Sequence, residues 1–342
     1  MKTQYRNILL FTGIFLAGIL LFFLNVLLGS VSIPAGDVFN IFFGGDVEKA
    51  SWATIIIDSR LPMALTAVLA GSALSVSGLL MQTLFRNPLA GPSVLGVSSG
   101  ASLGVAMVTL LAGGVLSEML LINNVSIIIA AFAGAGGVIF VLLFLAPRVG
   151  NNIVLLIIGL MIGYAVSSIV NVLQFFSSDH DLQAYILWGL GSFSKVGWQN
   201  MVYFSGIVIA GLVAAILLMK PLNMILLGDN YAFNLGLNMR KARLLVISVA
   251  GILAAIVTAF CGPIAFIGIA VPHIVRNLFK SNNHRVIVPA VILCGGVFAL
   301  LVSLLSRLPG SMGALPVNAI SSLIGAPIVV WVIFRNRNRE VA

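Results

Sequence analysis

Apolar positions along the chain gather into long unbroken runs separated by short polar stretches. Uncharged runs occupy Ile8 to Leu28, Leu61 to Leu80, Val94 to Leu111, Val125 to Leu145, Ile153 to Phe176, Met201 to Met219, Leu244 to Phe260, Val286 to Leu305 and Val317 to Phe334. Each approaches the roughly 20 residues with which a helix crosses the hydrocarbon of a bilayer, so the pattern predicts nine spanning helices. After the seventh, Pro263 to Val275 is apolar for only 13 residues and is interrupted by Gly268 and Pro272. It reads as a shortened or broken helix and is counted as a tenth crossing.

Charge tests that division independently, because Lys and Arg collect on the cytoplasmic side of a membrane protein. With ten crossings and an inside N-terminus, fourteen basic residues fall inside: Lys2, Arg6, Arg86, Arg148, Lys220, Arg240, Lys241, Arg243, Arg276, Lys280, Arg285, Arg335, Arg337 and Arg339. Four fall outside: Lys49, Arg60, Lys195 and Arg307. Leaving out the tenth crossing would move Arg335, Arg337 and Arg339 to the wrong side, so the bias favours ten crossings with both termini inside. The net charge of +9 is then mainly topology. Because the basic residues are divided among short loops between apolar runs, nucleic-acid binding is disfavoured. Lys2 and Arg6 precede an apolar run, as in a signal peptide. That run is too long for an h-region and no small-x-small site follows it, so an uncleaved first helix is expected.

Composition changes the picture only by exclusion. The chain of 342 residues is 60% hydrophobic and 8% charged, where soluble domains carry about 25% charge; a soluble fold, a collagen, a disordered chain and a disulfide miniprotein are all ruled out. Cys261 and Cys294 lie in apolar runs and are expected as buried thiols.

Several patterns invite chemical readings that fail. Gly96-Val97-Ser98-Ser99-Gly100 matches G-x-S-x-G, but the nucleophile elbow needs a preceding strand and acid and histidine partners. Gly96, Gly100 and Gly104 instead recur every four residues along one helix face, which lets helices approach closely, and Gly159 and Gly163 repeat the spacing. His180, His273 and His284 form no metal-ligand spacing, so no metal is expected. Spans without central charges weigh against an ion-coupled secondary transporter, the alternative reading. No P-loop is present; if ATP drives transport, another subunit must bind it. An intramembrane enzyme would need a convergent catalytic set, and none is visible.

Attention therefore moves to the inside loops. In Lys220 to Arg243, Gly228-Asp229 starts a predicted short helix ending near Gly236, with Asp229 favourably placed against the helix dipole. A simple loop with a solvated basic end fits the spacing equally well. Gln82 to Pro92 reads as a loop made rigid by Pro88 and Pro92.

At this point four ordered motifs carry a resemblance: RLPMALTAVLAGSALSVSGLLMQTLFRNPLAGPSVLGVSSGAS from Arg60 to Ser102, then LLGDNYAFNLGL, GPIAFIGIAVPHIVRN and LPVNAISSLIGAPIVVWVIF. Together they resemble the FecCD family, the permease subunits of bacterial importers for iron-siderophore, haem and cobalamin, over most of the chain. The resemblance implies an all-α polytopic protein of the type II ATP-binding-cassette importer architecture: a single transmembrane permease domain over 1–342 with a cytoplasmic coupling loop at 221–243. It implies residence in the bacterial inner membrane. Its partners would be a second permease copy or close paralogue, two ATPase subunits and an extracytoplasmic binding protein. The chain itself would bind no cofactor, with ATP and Mg on the partner ATPase, and would move a metal chelate, foremost an iron-siderophore.

Residue by residue, the resemblance places ATPase coupling at Gly228, Asp229, Ala232, Leu235 and Gly236. It places a cytoplasmic gate at Asn87, Leu89, Asn151 and Asn152, whose short uncharged amides could pair and release without burying a charge, although such residues are also ordinary turn chemistry. On the outer face it places binding-protein docking at Arg60 and Arg307, whose planar forks suit carboxylates; either could also simply anchor a helix. Met63 and Ala314 depart from the family pattern, which often has a second Arg and an acidic residue there.

Overall fold

The structure, a computed structural model, describes residues 2–45, 47–111, 124–149, 152–307 and 314–340. Long apolar runs cannot leave their backbone amides unpaired in hydrocarbon, so they become helices. Among the described residues the chain forms α1 (Lys2–Leu27), α2 (Ala35–Phe43), α3 (Ala50–Thr54), α4 (Leu61–Phe85), α5 (Val97–Thr109), α6 (Asn124–Leu145), α7 (Asn152–Phe175) and α8 (Asp179–Gly189). The second half holds α9 (Trp198–Leu217), α10 (Met219–Leu226), α11 (Asp229–Asn234), α12 (Met239–Cys261), α13 (Ile267–Phe279), α14 (His284–Ser306) and α15 (Val317–Glu340). Seven of the helical segments are long and apolar enough to cross a membrane, and Val97–Thr109, Ile267–Phe279 and Val317–Trp331 add three shorter apolar ones. The chain is an all-α polytopic membrane protein.

Contacts between helix ends give the alternation. At one end, Arg6 donates to the Phe279 carbonyl (2.8 Å), Asn152 to Leu84 (2.9 Å), Arg86 to Ile225 (3.0 Å) and Arg243 to Val149 (2.8 Å). This basic end therefore gathers the start of α1, the end of α4, the start of α7, α10, the start of α12 and the end of α13. At the other end Trp198 donates to Ile57 (2.8 Å), Ser192 N–H to Cys261 (2.7 Å) and Asn318 N–H to Leu190 (3.2 Å). Ten passes that alternate between these ends satisfy every one of those contacts.

Helix α4 is the axis of the bundle, with 21 of its 25 residues buried. Its composition explains the position, since Ala64, Ala67, Ala70, Gly71, Ser75 and Gly78 let backbones approach. A Cβ added at Gly71 would lie 2.2 Å from the Gly295 carbonyl oxygen of α14, and one at Gly78 would lie 1.7 Å from that of Gly268 in α13. Pro272 has no N–H to offer Gly268, so that carbonyl lacks its usual helical donor and packs on the Gly78 backbone instead. On α5, Gly100 and Gly104 meet the Gly134 and Ala130 carbonyls of α6 in the same manner, at 2.5 and 1.9 Å from an added Cβ; Gly96, expected on the same helix face, instead caps α5 at φ 75° and faces the backbone of Gly163.

Several boundaries differ from the pattern. The stretch expected as a broken helix at Pro263 to Val275 starts later and runs on unbroken to Phe279, because Phe266 at φ 65° turns the chain just before α13. The loop expected from Gln82 begins at Arg86, since Gln82 to Phe85 complete α4; Arg86, at φ 47°, then ends it. The crossing expected from Leu61 is prolonged at its start by α3 and a π-helical segment, Ile55–Arg60. Cys261 is buried and Cys294 half-buried, both as free thiols.

Candidate functional site at the basic end

The coupling motif is built as a knuckle. Helix α10 stops at Leu227, Gly228 turns the chain at φ 113°, and α11 follows until Leu235 and Gly236 (φ 82°) close it. Both positive angles suit glycine, which has no Cβ to clash. The end of α11 is tied by Gly236 N–H to the Phe233 carbonyl (2.9 Å) and Leu237 N–H to the Ala232 carbonyl (2.9 Å). Ala232 is buried beneath the knuckle, while Leu227, Tyr231, Phe233 and Leu235 project outward, Phe233 with 72% of its surface exposed. These apolar side chains lie outside the long apolar helices, and the chain's own core does not cover them. Such a patch marks an interaction surface.

Asp229 connects the knuckle to the core. Its carboxylate pairs with Arg86, whose guanidinium also donates to the Ile225 carbonyl at 3.0 Å. Arg86 caps α4, so one side chain joins the buried axis of the bundle to α10 and α11.

Beside this contact lies a polar cluster that sequence reasoning missed. Arg276 donates to Gln82 Oε1 (2.8 Å), Gln82 Nε2 to the Ile269 carbonyl (3.3 Å), and His273 Nε2 to the Pro88 carbonyl (2.8 Å). Thr83 Oγ1 meets His284 Nε2 at 2.9 Å, and His284 Nδ1 meets Asn223 Oδ1 at 2.9 Å. The cluster fixes α13 and α14 to the end of α4 and to the turn after it. One signal was available: His273 and Arg276, three residues apart, share one helix face of the PHIVRN motif.

The gate residues have mixed placements. Asn87 Oδ1 accepts from Leu89 N–H (2.9 Å), an Asx turn within its own loop, and Leu89 is exposed. Asn152 Nδ2 donates to Leu84 on α4, whereas its Oδ1 is buried with no partner among the described residues. Asn151 lies outside the described residues.

At the opposite end, Arg60 and Arg307 turn inward. Arg60 is 4% exposed and donates to the carbonyls of Val26 (3.0 Å), Leu27 (2.6 Å) and Val31. Arg307 donates to the Asn25 (3.0 Å) and Leu28 (3.3 Å) carbonyls and to Asn25 Oδ1. Helix ends leave their last carbonyls without amide partners, and two cations satisfy them here. Burial, and secondly the Arg60 charge beside it, lowers the Arg307 guanidinium to about 10, so it stays protonated at neutral pH. Asn25, fully buried, also donates to the Leu300 carbonyl of α14 at 3.0 Å. Met63 is buried in α4 and Ala314 is exposed.

The knuckle thus sits at the basic end of the bundle and is joined to its buried axial helix through Arg86 and Asp229. The model of the FecCD transport family matches residues 16–335. The chain belongs to that family. This FecCD chain is 33% identical over 326 residues to the hemin transport system permease protein HmuU of Yersinia pestis, covering 94% of this chain and 96% of that one. It is 34% identical over 295 residues to the vitamin B12 import system permease protein BtuC of Klebsiella pneumoniae, covering 86% and 87%. A solved inward-facing metal-chelate type ABC transporter superposes with a TM-score of 0.83 at 26% identity, covering 96% of this chain and 99% of its own. The FecCD chain is thus a transmembrane permease subunit of an ATP-binding-cassette importer, a transport component.

Proposed function

We propose that this permease carries a bulky metal chelate into the cytoplasm, driven by two separate ATPase subunits that seat on the α11 knuckle. The exposed Leu227, Tyr231, Phe233 and Leu235, anchored through Asp229 to Arg86, carry the reading. An ATPase closing on α11 would move α10 and, through Arg86, the end of α4; the polar cluster of Gln82, His273 and Arg276 would pass that movement to α13. The basic end is then cytoplasmic, the membrane is the bacterial inner membrane, and ATP and Mg stay on the ATPase while this chain binds no cofactor.

A second copy of the chain or a close paralogue would complete the path. Helix α7 supports this, for Ile153, Ile157, Met161 and Tyr164 present apolar surface along its length and Asn152 Oδ1 has no donor among the described residues. Asn87, Leu89, Asn151 and Asn152 would form the gate between the copies. A binding protein would dock at the opposite end. The inward engagement of Arg60 and Arg307 makes these residues first of all anchors of α1, and an acidic partner would have to compete with main-chain carbonyls for them. The relatives named above are a hemin and a vitamin B12 permease; haem and cobalamin therefore join iron-siderophore as substrates to test. The test is copurification of the tagged chain in mild detergent with assay of bound ATP hydrolysis. A stoichiometric ATPase, lost when Phe233 and Leu235 become Asp, is expected. A chain that purifies alone and transports without ATP would overturn the reading in favour of a secondary carrier.

A further inference from the structure

A cavity of about 270 Å³ opens at the end opposite the coupling knuckle, between the start of α6, helix α8, the turn after it and the end of α12. Its wall is apolar, from Ile127, Ile128, Leu187 and Phe260, and its polar groups are Asn124, Lys195 and Trp188. Trp188 is 6% exposed; its ring lines the cavity, while its indole N–H is buried in the packing with no acceptor among the described residues. Lys195 reaches the Trp188 carbonyl only at 3.4 Å, and among the described residues it has no carboxylate partner. The acids of α8, Asp179 and Asp181, sit about two turns away at the helix start, where Asp181 Oδ2 accepts from Ser178 Oγ at 2.6 Å. The apolar wall lowers the Lys195 ammonium from its ordinary value by desolvation, although the side chain remains open to solvent. Among the described residues, one cation and no acid therefore border this apolar hollow.

We propose that this cavity binds an amphipathic anion, a phosphate or carboxylate head on an apolar body, with Lys195 as its cationic contact and the Trp188 ring as part of its apolar wall. Two sources carry that chemistry: a phospholipid of the adjacent leaflet, and an anionic chelate on its way through the permease. The second source rests on the importer reading, and the first does not. In either case the head group would meet charge and donors at the lip while its apolar body replaces water against Ile127 and Phe260.

The experiment uses the full chain, with K195Q and K195R, in nanodiscs of phosphatidylglycerol or of phosphatidylcholine. Native mass spectrometry should show a phosphatidylglycerol adduct on wild type and K195R, reduced about tenfold on K195Q, the loss expected for one charge-assisted hydrogen bond. In phosphatidylcholine discs, haem serves as an anionic chelate, followed by quenching of tryptophan fluorescence with W188F as the control for the reporting ring. Dependence on Lys195 in the first arm alone identifies the lipid, and in the second alone the chelate. Equal binding by wild type and K195Q in both arms, or binding of neither probe by wild type, overturns the site. Matching helical circular dichroism among the variants excludes misfolding as the cause.

Discussion

Removal of Asp229 separates two contributions that a fold usually mixes. Both side chains of the Arg86–Asp229 pair are 44% exposed, and ion pairs this open contribute about 0.2–1 kcal/mol. Asp229 also begins α11, where a carboxylate adds about 0.3–1 kcal/mol against the helix dipole. In D229A, Arg86 keeps the Ile225 carbonyl and is not stranded. The total loss is therefore about 0.5–2 kcal/mol, and insertion and thermal stability should change little. Coupling is another matter, because the pair is a side-chain link from α11 to the buried axis of the bundle. If that link transmits about 1.4 kcal/mol, within the usual range for communication between sites, uptake per ATP hydrolysed falls about tenfold. The assay is paired measurement of ATP hydrolysis and substrate uptake in proteoliposomes containing the permease and its ATPase. The charge exchange R86D/D229R should recover part of the ratio. A D229A transporter with unchanged uptake per ATP would refute the argument, whatever its melting temperature.

Other expectations follow from the same contacts. G78A places a methyl group 1.7 Å from the Gly268 carbonyl, where backbone must shift on both helices; a cost of about 1–3 kcal/mol is expected, read as lower thermal stability. G136A is the control, since nothing lies within 4 Å of an added Cβ there, and its stability should match or exceed wild type. R60A leaves the Val26, Leu27 and Val31 carbonyls without their cation, so amide exchange in residues 25–31 should accelerate by at least about tenfold, the equivalent of one charge-assisted hydrogen bond; unaltered exchange would dismiss the anchoring role. Phe233→Asp with Leu235→Asp should abolish ATPase association while leaving the melting temperature within about 2 °C, because both side chains project away from the core. Salt-insensitive binding-protein affinity that is also unaffected by R307E would remove Arg307 from the docking surface.

The ten crossings could be read from the chain because hydrocarbon sets a length and admits only helices, so each apolar run declares its own structure. The α11 knuckle was half legible: Gly228, Asp229 and Gly236 act on their neighbours within a few residues, but a simple loop fitted the same spacing until the structure showed the helix. Helices α3 and α8 escaped the pattern because they are short and mixed in polarity, and neither is a crossing by length. Tertiary structure alone decided what depends on distant partners. Asn25, Arg60 and Arg307 look like ordinary residues at the ends of apolar runs, and only the meeting of α1, α4 and α14 turns them into one clamp. Gln82 and Arg276 are 194 positions apart, and their contact exists because Gly78 and Gly268 let α4 and α13 touch. Sequence thus determined which segments enter the membrane, through local length and polarity. The fold decided which polar groups meet there, because in an apolar solvent every buried donor must find whichever acceptor the packing supplies.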